Sequence, residues 1–174
     1  MAQVVFNTDR LIVRRWKEDD LSSIVSVYGD HDAMRWVADG NAISREDCER
    51  WIEVTQNNYR TRGYGMFAVV AKHHSTVVGF CGLVHPGGQV EPEIKYAYHR
   101  TQWGQGFATE AAYAMLRYGA RTHGLQRIIA TASPANIASH KVLLKAGMQQ
   151  GGLCTNGDGS KTQLFFWHRP EGAA

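Results

Sequence analysis

The sequence predicts a mixed α/β (α+β) fold in which helices cover both faces of one twisted, mostly antiparallel sheet. Residues 10–16, "RLIVRRW", alternate apolar and basic side chains with a period of two, as a half-buried strand does. Helical periodicity follows, gives way to β-rich runs, and returns after residue 106. The resulting order, β, α, α, α, β, β, β, α, β, α, β, β, is typical of a sheet of about seven strands packed between helices.

Three helices are predicted between the first strand and the β-rich runs. Residues 17–28 place apolar side chains at helical spacing behind an acidic first turn, at Leu21, Ile24, Val25 and Tyr28. A short second helix is predicted over residues 30–40, ending at the glycine of that run. Ser44 and Asp47 have the spacing of a capping box, which predicts a third helix that ends near Arg62.

Three β-rich runs follow, and short turn sequences separate them. The runs are "GMFAVVAK", "TVVGFCGLV" and "EPEIKYAYHR", and the separators are "HHS" and "HPGGQ". Because the separators are short and rich in turn-forming residues, the three runs are predicted to form an antiparallel meander.

The remaining elements alternate between helix and strand. Residues 108–122 carry an apolar stripe at helical spacing, and "QRIIATA" reads as a short buried strand. A further helix is predicted to open at Ser133 and Pro134 and to close at Gly147, which would adopt a left-handed conformation. "MQQGGL" and "KTQLFFWHR" complete the sheet on either side of the turn "TNGDGS".

Size and composition predict one domain spanning residues 1–174. The chain is 44% hydrophobic and 20% charged, as expected for a soluble globular protein. No stretch approaches the ~18 consecutive apolar residues that a membrane span needs. The start, "MAQVVFNTDR", lacks a basic leader followed by an apolar run, so a cytoplasmic location is expected.

Metal and disulfide chemistry are not expected. Cys48, Cys81 and Cys154 are far apart and lack CxxC spacing, which argues against a disulfide framework or a zinc site. The eight histidines show no HxxxH or HExxH arrangement.

Basic residues are concentrated downstream of a pair of glycines. Residues 111–157 contain no Asp or Glu, although they include Arg117, Arg121, Arg127, Lys141 and Lys145. Such a block is consistent either with a surface that receives an anion or with a solvated basic helix face. The net charge of +3 is too small to indicate nucleic acid, so a nucleic-acid partner is not expected.

The glycine pair lies in residues 103–111, "WGQGFATEA", directly before predicted helix. Glycines before a helix N-terminus either cradle a phosphate or merely turn the chain. A P-loop would need lysine after Gly106, where Phe107 stands. A dinucleotide fingerprint would need Gly or Ala where Thr109 stands and a carboxylate about twenty residues further on, but residues 111–157 contain none. Another kind of nucleotide site is left.

Three blocks of the sequence resemble the GNAT superfamily of acyl-coenzyme A N-acyltransferases. They are "NTDRLIVRRWKEDDL", "EIKYAYHRTQWGQGFATEAAYAMLRYG" and "GLQRIIATASPANIASHKVLLKAGM". Within the superfamily they are most similar to the Rim-type branch, which includes ribosomal-protein N-terminal acetyltransferases. The resemblance implies one N-acetyltransferase domain that uses acetyl-CoA, on a sheet splayed between its fourth and fifth strands.

The superfamily's pyrophosphate loop, Gln/Arg-x-x-Gly-x-Gly/Ala, maps onto Trp103, Gly106 and Ala108. Trp103 departs from the general pattern but matches the "WGxGxATEA" form of the Rim-type branch. The resemblance implies that loop amides hold the coenzyme A pyrophosphate and that the preceding strand pairs with the pantetheine arm. The implied cofactor-binding residues are Tyr96, Ala97, Tyr98, Trp103, Gly104, Gln105, Gly106, Phe107, Ala108, Thr109 and Asn136.

Two catalytic residues are implied by the same resemblance. Glu93 would be the general base, acting through water or with a pKa raised by burial, and Glu91 is a weaker rival. The alternative is that Glu93 is a strand-edge carboxylate paired with a basic neighbour. Ser139 would stand near the sulfur, either as proton donor or only as a hydrogen bond to the developing thiolate, with His140 as a reserve acid; the alternative is that Ser139 is a solvated helix position. Asn136 would bind the pantetheine arm or merely cap its helix.

The implied acceptor is a primary amine, either a protein N-terminus or a small molecule, that attacks acetyl-CoA directly in a ternary complex. Trp36 and Tyr64, with Trp16 and Trp51, would line its pocket or belong to the core. A non-catalytic coenzyme A-binding or sensing module on the same fold is the alternative. Homodimerisation is compatible with the resemblance and has no support in the sequence itself.

Overall fold

An eight-stranded sheet forms the centre of the computed structural model, which describes residues 2–37 and 40–172. The strands in chain order are β1 (Val4–Asn7), β2 (Leu11–Arg14), β3 (Met66–Ala71), β4 (Thr76–Val84), β5 (Glu93–Tyr98), β6 (Arg127–Ala132), β7 (Gln149–Thr155) and β8 (Lys161–His168). Their order in the sheet is β1-β2-β3-β4-β5-β6-β8-β7. Neighbouring strands are antiparallel except β5 and β6, which are parallel. The predicted fold class and the predicted meander are therefore confirmed.

The described residues form five α-helices: α1 (Leu21–Tyr28), α2 (His31–Met34), α3 (Arg45–Arg62), α4 (Phe107–His123) and α5 (Ile137–Lys145). The Ser44 side chain accepts a hydrogen bond from the Asp47 amide at 3.1 Å, which caps α3 as the sequence predicts. At the other end of α3, Gly63 has a φ of 82° and stops the helix in a left-handed conformation. No helix in residues 2–37 or 40–172 is long and apolar enough to cross a membrane.

Two hydrophobic clusters cover opposite faces of the sheet because strand side chains alternate in direction. In β3, Phe67 and Val69 pack with α4 and α5, whereas Ala68 packs with α1 and α3. In β5, Ile94 belongs to the α4 side and Ala97 to the α1 side. The helices therefore lie on both faces, as predicted.

Three details differ from the sequence predictions. The sheet has an eighth strand, β1, which pairs with β2 and carries a register shift between Val4 and Phe6. The second helix ends at Met34 instead of near residue 40; residues 38 and 39 lie outside the described residues. The helix α5 begins at Ile137, because Asn136 caps it, and not at Ser133.

Candidate active site

The two parallel strands β5 and β6 separate almost as soon as they meet. Their register contains one residue pair, Glu93 with Ile129, and the Ile129 amide bonds to the Pro92 carbonyl at 2.9 Å. Beyond that pair the carboxyl-terminal parts of the two strands diverge, while β5 stays paired with β4 as far as Tyr98. The strands β5 and β6 are the fourth and fifth strands of the sequence prediction, so the predicted splay is present between them. It leaves a gap in the sheet that is closed at Glu93.

The glycine loop lies beyond the open end of this gap, between β5 and α4. Gly104 and Gly106 have φ values of 76° and 79°, a backbone conformation that favours glycine. The first α4 amide with a helix-type partner is that of Glu110, 3.1 Å from the Gly106 carbonyl. The amides of residues 107–109 therefore precede the helical hydrogen-bond ladder and are available to an anion. Open space at Gly104, where an added Cβ would meet nothing within 4 Å, also suits a phosphate cradle.

The loop is held from both sides. The Trp103 indole Nε1 donates to the Tyr98 carbonyl at 3.1 Å, which ties the loop to the end of β5. Phe107 is 3% exposed and anchors the start of α4 in the core. Arg10, from the turn between β1 and β2, donates through Nη1 to the Gln105 carbonyl at 2.8 Å.

A carboxylate in the first turn of a phosphate-binding helix would repel its ligand, and Glu110 occupies that position. It accepts hydrogen bonds from the Thr8 hydroxyl at 2.6 Å, the Arg10 amide at 3.0 Å and the Arg10 guanidinium at 2.6 Å. Partial burial opposes ionisation of Glu110, but these hydrogen bonds outweigh it and lower the pKa of the carboxyl group. Sequence reasoning missed Arg10, although a lone acidic residue beside a phosphate loop indicates that a cation must compensate it.

Glu93 lies at the closed end of the gap and is 3% exposed. Its Oε1 is 2.5 Å from the Lys95 ammonium and accepts a 2.5 Å hydrogen bond from the Thr131 hydroxyl on β6. Within residues 2–37 and 40–172, the only hydrogen-bond partner of Oε2 is the Gln89 side-chain nitrogen, at a long distance of 3.4 Å. Both features anticipated for Glu93, burial and a basic neighbour, are thus present together, and Oε2 is the oxygen with spare accepting capacity.

Ser139 faces β5 from the first turn of α5. Its Oγ is 2.7 Å from the Tyr96 hydroxyl, so a strand residue and a helix residue meet beside the gap. The Ser139 amide donates to Asn136 Oδ1 at 3.2 Å, which shows that Asn136 caps α5. The ring of His140 is engaged elsewhere, because its Nε2 donates to the Ser133 carbonyl at 3.0 Å.

The other residues predicted for the site, Tyr64, Trp36 and Glu91, have the following surroundings. Tyr64 is 7% exposed, with its hydroxyl 2.8 Å from His85 Nε2, and it packs near the end of α4. Trp36 is 42% exposed in the turn after α2. Glu91 forms an ion pair with Arg127, so this member of the basic block compensates a carboxylate. Among the described residues, no three His, Cys, Asp or Glu side chains form a group that could hold a metal ion.

Comparison with known proteins gives a consistent result. A family model described as "Acetyltransferase (GNAT) domain" matches residues 10–149. The uncharacterized N-acetyltransferase YnaD of Bacillus subtilis is 28% identical over 146 residues, covering 84% of this chain and 83% of YnaD. The uncharacterized N-acetyltransferase p20 of Bacillus licheniformis is 28% identical over 164 residues, covering 91% of this chain and 89% of p20.

Solved structures share the fold. A GNAT-family acetyltransferase from Bacillus anthracis superposes with a TM-score of 0.78 at 25% identity, covering 93% of this chain and 96% of that protein. RimL, a ribosomal L7/L12 α-N-protein acetyltransferase solved in complex with coenzyme A, superposes with a TM-score of 0.78 at 16% identity. That alignment covers 95% of this chain and 98% of RimL.

Proposed function

The chain belongs to the GNAT family of acetyltransferases, and from this premise we propose that it moves an acetyl group from acetyl-CoA to a primary α-amine by direct attack in a ternary complex. The observation that carries the proposal is the gap between β5 and β6. The glycine loop lies beyond its open end, and the buried carboxylate of Glu93 lies at its closed end.

The donor thioester would enter from the side of α4 and α5. The amides of residues 104–109 and the N-terminus of α4 suit the pyrophosphate, because α4 adds partial positive charge there. The backbone of residues 96–98 suits the pantetheine arm, since β5 leaves its edge unpaired with β6 beyond Glu93. The side-chain Oδ1 of Asn136 accepts the capping hydrogen bond, and its side-chain NH₂ is free to donate to that arm.

The amine would enter from the opposite face, on the side of α1. Glu93 and Lys95 share that face with Ala97, whereas Tyr96 packs on the α4 side with Ile94. The gap therefore connects a face that carries a carboxylate to a face that carries the hydroxyl of Ser139. Attack through the gap places the base on the amine side and the thiolate-stabilising hydroxyl on the sulfur side.

The charge of this face favours an amine that arrives without a positive charge. Its carboxylates are already compensated: Lys95 pairs with Glu93 at 2.5 Å, and Arg127 pairs with Glu91. An α-amine with a pKa near 8 is about a tenth neutral at pH 7, whereas a lysine-like amine near 10.4 is neutral to well under one part in a thousand. We therefore propose an α-amine, as at a peptide N-terminus, in preference to a polyamine.

The two proposed catalytic residues, Glu93 and Ser139, act on the amine and on the sulfur respectively. Glu93 would take a proton from the attacking nitrogen through Oε2, directly or through one water. Ser139 would donate a hydrogen bond to the sulfur as the carbon–sulfur bond breaks and the electron pair moves to sulfur.

The test is release of free coenzyme A from acetyl-CoA in the presence of peptides with free N-termini, N-terminally blocked lysine peptides and spermidine. We expect turnover with the free N-termini and at least tenfold less with the other acceptors. Glu93→Gln should reduce kcat by about a hundredfold, whereas the matched change Glu91→Gln should leave it within about twofold, because Glu91 lies before β5 and is 41% exposed.

Several outcomes would count against the proposal. A wild-type protein that binds coenzyme A but acetylates no amine would be a binding module. Faster turnover of spermidine than of peptides would contradict the α-amine assignment, and equal losses in the two glutamate variants would remove Glu93 as the base.

A further inference from the structure

The contact between Tyr96 and Ser139 carries an inference that rests on the function proposed above. The Tyr96 hydroxyl reaches from β5 to α5 and lies 2.7 Å from Ser139 Oγ. We propose that Tyr96 is a positioning residue, whose phenol orients the Ser139 hydroxyl toward the sulfur of the leaving thiolate.

The chemistry of the two hydroxyl groups sets the direction of this hydrogen bond. A phenol is more acidic than an alkyl hydroxyl and is therefore the better donor, whereas the alkyl oxygen is the better acceptor. The phenol oxygen is also 3.4 Å from the Ser139 carbonyl, which can only accept. Both acceptor atoms near the phenol belong to Ser139, so the Tyr96 proton points toward that residue.

Once Ser139 Oγ accepts from Tyr96, the serine's own proton is free to point elsewhere. The Ser139 backbone is fixed independently, because its amide donates to Asn136 Oδ1 at 3.2 Å. With the backbone and one lone pair held, the hydroxyl loses most of its rotational freedom. Its proton is then directed to the thiolate without reorganisation during the reaction.

Tyr96 itself does not ionise in this scheme. Burial raises the pKa of Tyr96, although its hydrogen bond with Ser139 acts in the opposite direction. The phenol therefore keeps its proton at working pH and donates a hydrogen bond throughout. The proton balance is complete without it: the amine proton passes to Glu93, which returns it to solvent, and the thiolate takes a proton from solvent as it leaves.

The test is a double-mutant cycle on kcat in the full chain. Tyr96→Phe keeps the ring and the strand backbone and removes only the hydroxyl, so we expect kcat to fall about five- to tenfold. The KM for acetyl-CoA should stay within about twofold. In a Ser139→Ala background, Tyr96→Phe should produce no further loss, because the group on which it acts is absent.

Tyr118→Phe is the matched control. It removes another part-buried phenol hydroxyl, 2.8 Å from His123 Nε2, and should leave kcat unchanged. Independent, multiplicative losses from Tyr96→Phe and Ser139→Ala would overturn the inference, as would a Tyr96→Phe effect confined to KM or an unchanged kcat. Wild-type turnover separates the two claims: its absence refutes the proposed function, whereas its presence with a multiplicative cycle refutes only the role of Tyr96.

Discussion

Arg10 and Glu110 lie 100 residues apart in the chain, yet the guanidinium Nε of Arg10 is 2.6 Å from Glu110 Oε2. The same guanidinium bonds to the Gln105 carbonyl at 2.8 Å and lies 4.8 Å above the Phe107 ring. One side chain from the β1–β2 turn therefore neutralises the acidic residue of the first α4 turn and holds the loop in front of it. This contact compensates the charge of Glu110 beside the proposed pyrophosphate loop.

Arg10→Ala should weaken coenzyme A binding by about five- to tenfold, because it leaves Glu110 uncompensated and releases the loop carbonyl. Titration calorimetry measures the Kd directly. Arg50→Ala removes a more exposed ion pair, with Asp47 on α3, and should leave the Kd unchanged. Equal affinity in the wild type and Arg10→Ala would show that the loop does not depend on this contact.

The hydrogen bonds to Glu110 should make folding stability depend on pH. The pKa of Glu110 is lower in the folded chain than its ordinary value of 4.5. Ionised Glu110 therefore stabilises the fold at pH values above 4.5. This contribution, about 1 kcal/mol, should be lost as the pH falls below 4.5 toward the folded-state pKa. Urea unfolding of the wild type and Glu110→Gln should differ at pH 7 and converge as the pH is lowered through the folded-state pKa of Glu110. A difference that stays constant over this range would contradict the prediction.

Protonation of His123 should lower the folding stability, in a higher pH range than the titration of Glu110. Burial lowers its pKa from the ordinary 6.5, and its ring packs edge-on against Tyr64 and Tyr118. The unfolded chain therefore binds the proton more readily, and stability should fall as the pH drops below 6.5. His123→Gln should show a smaller decrease in urea midpoint between pH 7.5 and 5.5, whereas substitution of the exposed His74 should leave the slope unchanged. Parallel slopes for His123→Gln and wild type would refute this assignment.

Lys95→Met should destabilise the fold by about 1–2 kcal/mol, because it leaves the buried Glu93 carboxylate without its cation. The loss is smaller than for a fully buried pair, since Lys95 is 41% exposed. Adding Glu93→Gln to Lys95→Met should recover most of the loss in a urea unfolding measurement. An additive second loss would show that Lys95 does not act through Glu93.

The sequence predicted the sheet well where strands alternate or carry long β-branched runs, and it predicted α3 and α4 to within one or two residues. It missed β1, because four residues with a register shift at the sheet edge show no clear alternation. It placed the start of α5 too early, since Ser133 and Pro134 resemble a helix start but Asn136 provides the cap.

The candidate site was predictable where its residues are contiguous. The two glycines and the following helix drew attention to the loop at 104–109 but left a mere turn open, and its assignment to coenzyme A came from the resemblance of the flanking blocks to the GNAT superfamily. The Arg10–Glu110 and Tyr96–Ser139 contacts could not, because they join residues 100 and 43 positions apart, and only the packing of α4 and α5 brings them together. Tyr64 was predicted either to line the acceptor pocket or to belong to the core; it is 7% exposed, and its hydroxyl lies 2.8 Å from His85 Nε2.

The central claim is that thioester and amine meet in the gap between β5 and β6 and react directly. Initial velocities measured over a grid of acetyl-CoA and acceptor-peptide concentrations test it most directly. Direct transfer predicts intersecting double-reciprocal lines, with no acetylated protein after incubation with acetyl-CoA alone. Parallel lines, together with an acetyl group retained on the protein, would contradict the claim.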